Sequence, residues 1–263
     1  MKKLKVHNPF GAPVFHMDTV SSTMDISRRL ADEGNMHGTV ITADFQEAGR
    51  GRGYDKGQNR TWEMQSCVNL PFTILLRFSS INEIPLALTL RTGLAVSYSI
   101  EDFAHILKGS IKVKWPNDIM IGDKKAAGII CEADGRNVHI GIGINVAQKE
   151  FPAHLREKAT SITNAIGSGQ FIDSGEERFT LLEKTLNRLY DELESPKGSD
   201  WKNRLEKRLF KIGEQVVFIE GSADSSSIIN GRLYGIGDNG ELLVIPNGKV
   251  ETQSFITGEL VVY

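Results

Sequence analysis

Cysteine is scarce: the 263-residue chain holds two, Cys67 and Cys131, each within an apolar, strand-like run. Two isolated thiols exclude a disulfide framework and a C-x-x-C metal or redox site, and both are expected in the core. No stretch approaches the roughly 18 apolar residues that a membrane span needs. An excess of either charge is also missing, with Lys+Arg 31 against Asp+Glu 33, so there is no general electrostatic pull toward nucleic acid or an anionic membrane. The P-loop pattern G-x-x-x-x-G-K-[ST] does not occur. The six histidines, at 7, 16, 37, 105, 139 and 154, have no ligand spacing, so a metal hydrolase is unsupported and no metal ligand is expected. The segment GSG at 167–169 is not a nucleophile elbow. The basic start MKKLKV meets Asn8, Pro9, Gly11, Pro13, His16 and Asp18 before an apolar segment can form; a signal peptide is not predicted and a cytoplasmic location is expected.

What is present is an ordinary globular composition, 40% hydrophobic and 24% charged, at a length that suits one large domain plus one small one. Residues 21–34 read as a helix, with Ser22 as cap, Asp25 three residues later and Gly34 at the C-terminal end. Strands are predicted over 38–46 and 68–78, which makes the arginine-rich segment between them a connection. Leu86, Leu90, Leu94, Tyr98 and Phe103 predict one long helix over about 83–108. Four strands follow: IKVKW, IMI closed by a Gly122-Asp123 turn, AAGIICEA and HIGIGINV. Ser174 with Glu177 resembles a capping box for a helix whose face is Phe179, Leu182, Leu186, Leu189 and Leu193, ended by Ser195-Pro196-Lys197-Gly198. Beyond a short helical piece at 201–209, brief β runs split by glycine turns predict four or five strands of a small SH3-like barrel. The expected domains are 1–209 and 210–263.

Two segments concentrate chemistry. In GRGRGYDKGQNRTW (49–62), Arg50, Arg52, Lys56 and Arg60 alternate with Gly49, Gly51, Gly53 and Gly57. Glycine lets backbone approach a ligand and arginine offers a planar fork to phosphate or carboxylate. A phosphate-binding loop, a solvated basic loop and an RNA-contacting tract all fit this composition. In KWPNDIMIGDKKAAGIICE (114–132), Lys112 and Lys114 face away from Ile111, Val113 and Trp115, Asn117-Asp118 forms a turn, and Gly128 interrupts an apolar strand beside Lys125.

The ordered set of GRGR (49–52), KWPND (114–118), KAAGI (125–129) and GIGIN (141–145) resembles the biotin protein ligase family over about residues 18–146, in its monofunctional form. That resemblance implies an α/β (α+β) fold: a mixed central sheet flanked by helices, similar to class II aminoacyl-tRNA synthetases, followed by the small barrel. It implies that Ser22, Thr23, Gln46, Gly49, Arg50, Gly51 and Gly128 surround biotin. Arg52 and Lys125 would meet the carboxylate and α-phosphate, Lys114 would add positive charge, and Asn117 and Asp118 would orient that cluster. Trp62, Asn145 and Lys125 would serve the nucleotide. Nine residues separate Arg52 from Trp62 here, more than the family pattern has. The implied reaction consumes biotin and ATP with Mg²⁺ and modifies a lysine of a biotin carboxyl carrier protein, with no nucleic-acid or membrane partner; homodimerisation stays open. The basic loop is expected to order when the adenylate binds.

Alternatives are a lipoate or octanoyl ligase, which shares the fold, and a biotin-binding regulatory module. KWPND and the GRGR loop favour biotin, and retention of Arg52, Lys114, Asp118 and Lys125 favours catalysis. The pattern begins near Phe15, so a DNA-binding domain of the kind found in family repressors is not expected before it.

Overall fold

The computed structural model describes residues 1–52, 61–167, 175–221 and 227–261. In chain order its elements are β1 (Lys2–Lys3), β2 (Val14–Val20), α1 (Thr23–Asp32), β3 (Thr39–Gln46), β4 (Leu70–Arg77), α2 (Leu88–Phe103), β5 (Ile111–Lys114), β6 (Asp118–Ile121), β7 (Lys124–Asp134), β8 (Asn137–Ile144), α3 (Ile162–Ile166), α4 (Glu177–Leu193) and α5 (Trp201–Glu206). The later strands are β9 (Gln215–Glu220), β10 (Ser227–Ile236), β11 (Leu242–Pro246), β12 (Gln253–Phe255) and β13 (Gly258–Val261). Strands β1 to β8 form one mixed sheet in the order β1-β2-β3-β4-β8-β7-β6-β5. Only β2 and β3 run parallel in it, with α1 as their crossover.

Period-two alternation on β8 sorts the two faces of this sheet. Ile140, Ile142 and Ile144 are buried in the main core with Val96 and Ile100 of α2 beneath the sheet and with Leu182, Leu186 and Leu189 of α4. The intervening His139, Gly141 and Gly143 face α1 and the residues above it: His139 meets Ser27, and a side chain on Gly141 would strike Met24. The mixed sheet flanked by helices is therefore the observed fold.

Helix α1 follows its sequence closely. Ser22 Oγ accepts from the Met24 amide at 3.3 Å, and Gly34, at φ +81°, ends the helix while the Asn35 amide reaches back to the Leu30 carbonyl. The predicted helix over 83–108 is shorter at both ends. Ala87 adopts φ +53°, which no helix interior accommodates, so Leu86 lies outside and 61% exposed. At the other end a separate 3₁₀ turn, His105–Leu107, follows Ala104. The α4 cap position is Glu176, without a side-chain bond; Ser174 lies outside the described residues. The Ser195-Pro196-Lys197-Gly198 segment does not stop the chain's helicity but turns it into a 3₁₀ segment leading to α5.

The cysteines part company. Cys131 is half-buried on β7, where burial pushes its thiol up to about 11. Cys67 is exposed in a turn at φ +65°, not in the core, because the strand begins only at Leu70.

Strands β9 to β13 form a second, antiparallel sheet in the order β12-β11-β10-β9-β13. No ladder joins β12 to β13 among the described residues. Phe218, Leu233, Ile236, Leu242 and Val244 are part of the same apolar cluster as the main core. At the junction the Trp115 ring meets Phe218 edge-on at 5.9 Å, and its Nε1 donates to the Gly240 carbonyl at 2.9 Å.

Candidate active site

Parallel pairing sets one wall of the site. Val20 stands opposite Gln46, so the ends of β2 and β3 bring Gln46 beside the start of α1. The Thr23 amide and hydroxyl both donate to Gln46 Oε1, at 2.8 and 3.0 Å, and Thr73 Oγ1 donates to Thr23 Oγ1 at 2.8 Å. These polar groups are almost fully buried yet partnered, which fixes their orientation.

The floor is made by missing side chains. Gly128 of β7 pairs with Gly143 of β8, and the Trp62 indole lies so close to Gly143 that a Cβ there would sit 2.7 Å from the ring. A Cβ on Gly49 would meet the Trp62 carbonyl at 2.6 Å, and the Trp62 amide donates to the Gly49 carbonyl at 2.9 Å. Together with the Arg50–Thr61 bridge, this closes the base of the basic loop.

The opposite wall carries charge. The β5–β6 turn is pinned to β7 by Asn117, whose Nδ2 donates to the Ile129 carbonyl at 2.9 Å and whose own carbonyl accepts from the Ile129 amide. Asp118 is thereby held 2.6 Å from Lys125 Nζ. Lys114 is buried, and burial pushes its ammonium below the ordinary lysine value, against the pull of Asp118 and Glu259. Arg52 stands 3.9 Å from Glu259, a residue of β13. The walls enclose a cavity of about 430 Å³, within the range of small-molecule sites. At its lip His154 Nε2 lies 3.0 Å from Glu63 Oε1. A cleft of this size lined by Arg52, Lys114 and Lys125 suits a ligand with an anionic group.

Residues 17–147 match the model of the biotin/lipoate A/B protein ligase family. The chain belongs to this family. Among its relatives is the bifunctional ligase/repressor BirA of Bacillus spizizenii, 38% identical over 174 residues, which are 62% of this chain and 49% of that protein. The biotin–[acetyl-CoA-carboxylase] ligase of Paracoccus denitrificans is 29% identical over 210 residues, 78% of this chain and 82% of that one. A biotin protein ligase from Aquifex aeolicus, solved in complex with biotin and ATP, superposes with a TM-score of 0.74 at 28% identity over 95% of this chain and 98% of that chain. The chain spans about half the length of the Bacillus relatives.

Of the residues that the ligase-family resemblance singled out, Ser22, Thr23, Gln46, Arg50, Gly51, Arg52, Trp62, Lys114, Asn117, Asp118, Lys125 and Gly128 all line the one cavity. Gly49 stands just behind it at the loop base. Asn145 is buried outside the lining, its Nδ2 donating to the Thr160 carbonyl at 3.0 Å. Lys56, Arg60, Gly53 and Gly57, and with them most of the loop expected to order on adenylate binding, lie outside the described residues.

Sequence reasoning missed Glu63, His154 and Glu259, which no motif marks and which reach the cavity only through tertiary structure. The fold also brings donor atoms of His16, Asp18 and Asp44 within 4.8 Å of one another, a grouping that no motif marks. That cluster has another occupant. Against burial, which raises it, His16 at 2.9 Å and the directly bonded Arg178 guanidinium keep the Asp44 carboxyl below its usual range.

Proposed function

We propose that this chain is an ATP-dependent biotin ligase that joins biotin to AMP and then passes the biotinyl group to a lysine of a biotin carboxyl carrier protein. The observation that carries this reading is the convergence on one cavity of a buried polar wall, a glycine floor and three cations. A rigid polar ureido ring needs partnered donors and acceptors, which Ser22, Thr23 and Gln46 provide beside Arg50, Gly51 and Gly128.

In the first half-reaction the biotin carboxylate oxygen attacks the α-phosphorus of ATP, the P–O bond to pyrophosphate breaks, and pyrophosphate leaves with the electron pair. Two anions must approach, so Arg52, Lys114 and Lys125 would offset their repulsion, with Asp118 and Asn117 holding Lys125 in place. Trp62 offers an indole face to the nucleotide. Asn145 would act from behind the cavity wall by holding the segment after β8 to Thr160. Mg²⁺ would arrive on the ATP phosphates, since Asp118, Glu259 and Glu63 are each engaged by a cation or imidazole.

In the second half-reaction the lysine amine attacks the acyl carbon, AMP departs, and the amine gives up a proton; positioning and oxyanion stabilisation are the protein's contribution. We read residues 1–209 as the catalytic domain and 210–263 as a smaller domain that completes the site through Glu259. No helix among the described residues is long and apolar enough to cross a membrane, and a cytoplasmic site of action accompanies this reading. The test is incubation with ATP, Mg²⁺ and either biotin or lipoate, with mass detection of the acyl-adenylate. Biotinyl-AMP is the expected product; lipoyl-AMP alone, or neither, would overturn the reading.

A further inference from the structure

The first arginine of the basic loop does not stand alone over the cavity. Its side chain, 14% exposed, bonds the Asp25 carboxylate through Nη2, and Nη1 lies 3.8 Å from Glu132 Oε2. Arg28 makes the same two connections, bonding Glu132 directly and standing 3.6 Å from Asp25. Two cations and two carboxylates thus alternate in a closed, neutral square. Asp25 is held further by Ser21 Oγ at 3.2 Å.

An isolated surface pair contributes little, and a solvated patch is the ordinary reading of such charges. This square differs in what it joins. Asp25 lies two residues after Thr23 in the first turn of α1, Glu132 is on the strand that carries Lys125 and Gly128, and Arg50 opens the loop. Helix α1, strand β7 and the base of the loop therefore meet in it.

We propose that Asp25 and Glu132 are positioning residues for substrate activation: by holding Arg50 they fix the base of the loop against α1 and β7 and keep its guanidinium from pairing out of place with an incoming carboxylate. The proposal builds on the ligase reading above. Without the Asp25 carboxylate the square is broken, and Arg28 and Arg50 share Glu132.

The test uses the full chain carrying Asp25→Asn, Glu132→Gln and the conservative Asp25→Glu. Steady-state adenylation should show a rise in the biotin KM of roughly 10-fold to 100-fold in the first two variants, larger than any fall in kcat, with Asp25→Glu closer to wild type. A merely stabilising network would lower the melting temperature and leave KM alone. Amide exchange at Gly49 to Arg52 and at Thr61 and Trp62, measured without ligand, gives a second readout independent of catalysis. It should quicken in Asp25→Asn and in Arg50→Ala, and in the double variant by less than the sum of the two, because both changes break the Asp25–Arg50 contact. Unchanged exchange, or unchanged KM in a wild-type-active background, overturns the proposal; absence of biotinyl-AMP from the wild type instead removes the ligase reading and leaves exchange to decide this one.

Discussion

At the scale of single residues, the site depends on cations held by named neighbours. Lys125 sits 2.6 Å from Asp118, which faces Lys114 across the β5–β6 ladder. Lys125→Ala should retain the fold and lose adenylate formation by ~10²-fold or more, the order expected when a group that stabilises transition-state charge is removed. Single-turnover adenylation close to wild type in that variant would take Lys125 out of the mechanism. Lys114, Asn117, Asp118 and Lys125 were singled out in the sequence because KWPND and KAAGI match motifs of the family, and the strands that carry them are neighbours in the sheet. Glu259 was not, since 133 residues of chain separate it from Lys125 and only the docking of the second sheet delivers it.

At the scale of elements, β8 and α1 meet around His139, which is 1% exposed and bonds Ser27 Oγ through Nδ1 at 2.8 Å. Burial, with Arg28 adding to it, pushes this imidazole below its ordinary value. The unfolded chain accepts a proton near pH ~6.5 while the folded one resists it. Its stabilising contribution is thus fully present above that pH and is lost as pH falls through it, with a slope of at most ~1.4 kcal/mol per pH unit. Urea unfolding of His139→Gln between about pH 5 and 7 should show a shallower pH dependence than wild type; parallel curves would show that His139 does not set the slope. Element types were readable from periodicity, whereas the start of α2 was not, because the left-handed turn at Ala87 gives no signal in an alanine. Cys67 was misplaced for a related reason: an apolar neighbourhood such as Cys67-Val68 marks a strand's approach as readily as its interior.

At the scale of the whole molecule, the two sheets share one apolar cluster, joined at Trp115. Trp115→Phe keeps the ring contact with Phe218 and removes the donor to the Gly240 carbonyl, so stability should fall by about 1 kcal/mol. Denaturant unfolding followed by fluorescence and by circular dichroism should remain one coincident transition in both proteins. Two separated transitions in the wild type would show that the sheets fold independently. The small second sheet was visible as a change in strand and turn rhythm near residue 210, but its role as a wall of the cavity depends on which surface it covers.

The alternation along β8 also governs how this sequence can drift. Its isoleucines need only fill a volume, and aliphatic exchanges there usually cost under ~1.5 kcal/mol. The glycines between them have no such latitude: at Gly143 even a methyl group would intrude on the Trp62 ring. Random substitution across GIGI, sorted for survival, should therefore leave a two-residue rhythm of permissive and forbidden positions, a record of which side of one strand faces grease and which faces the cavity.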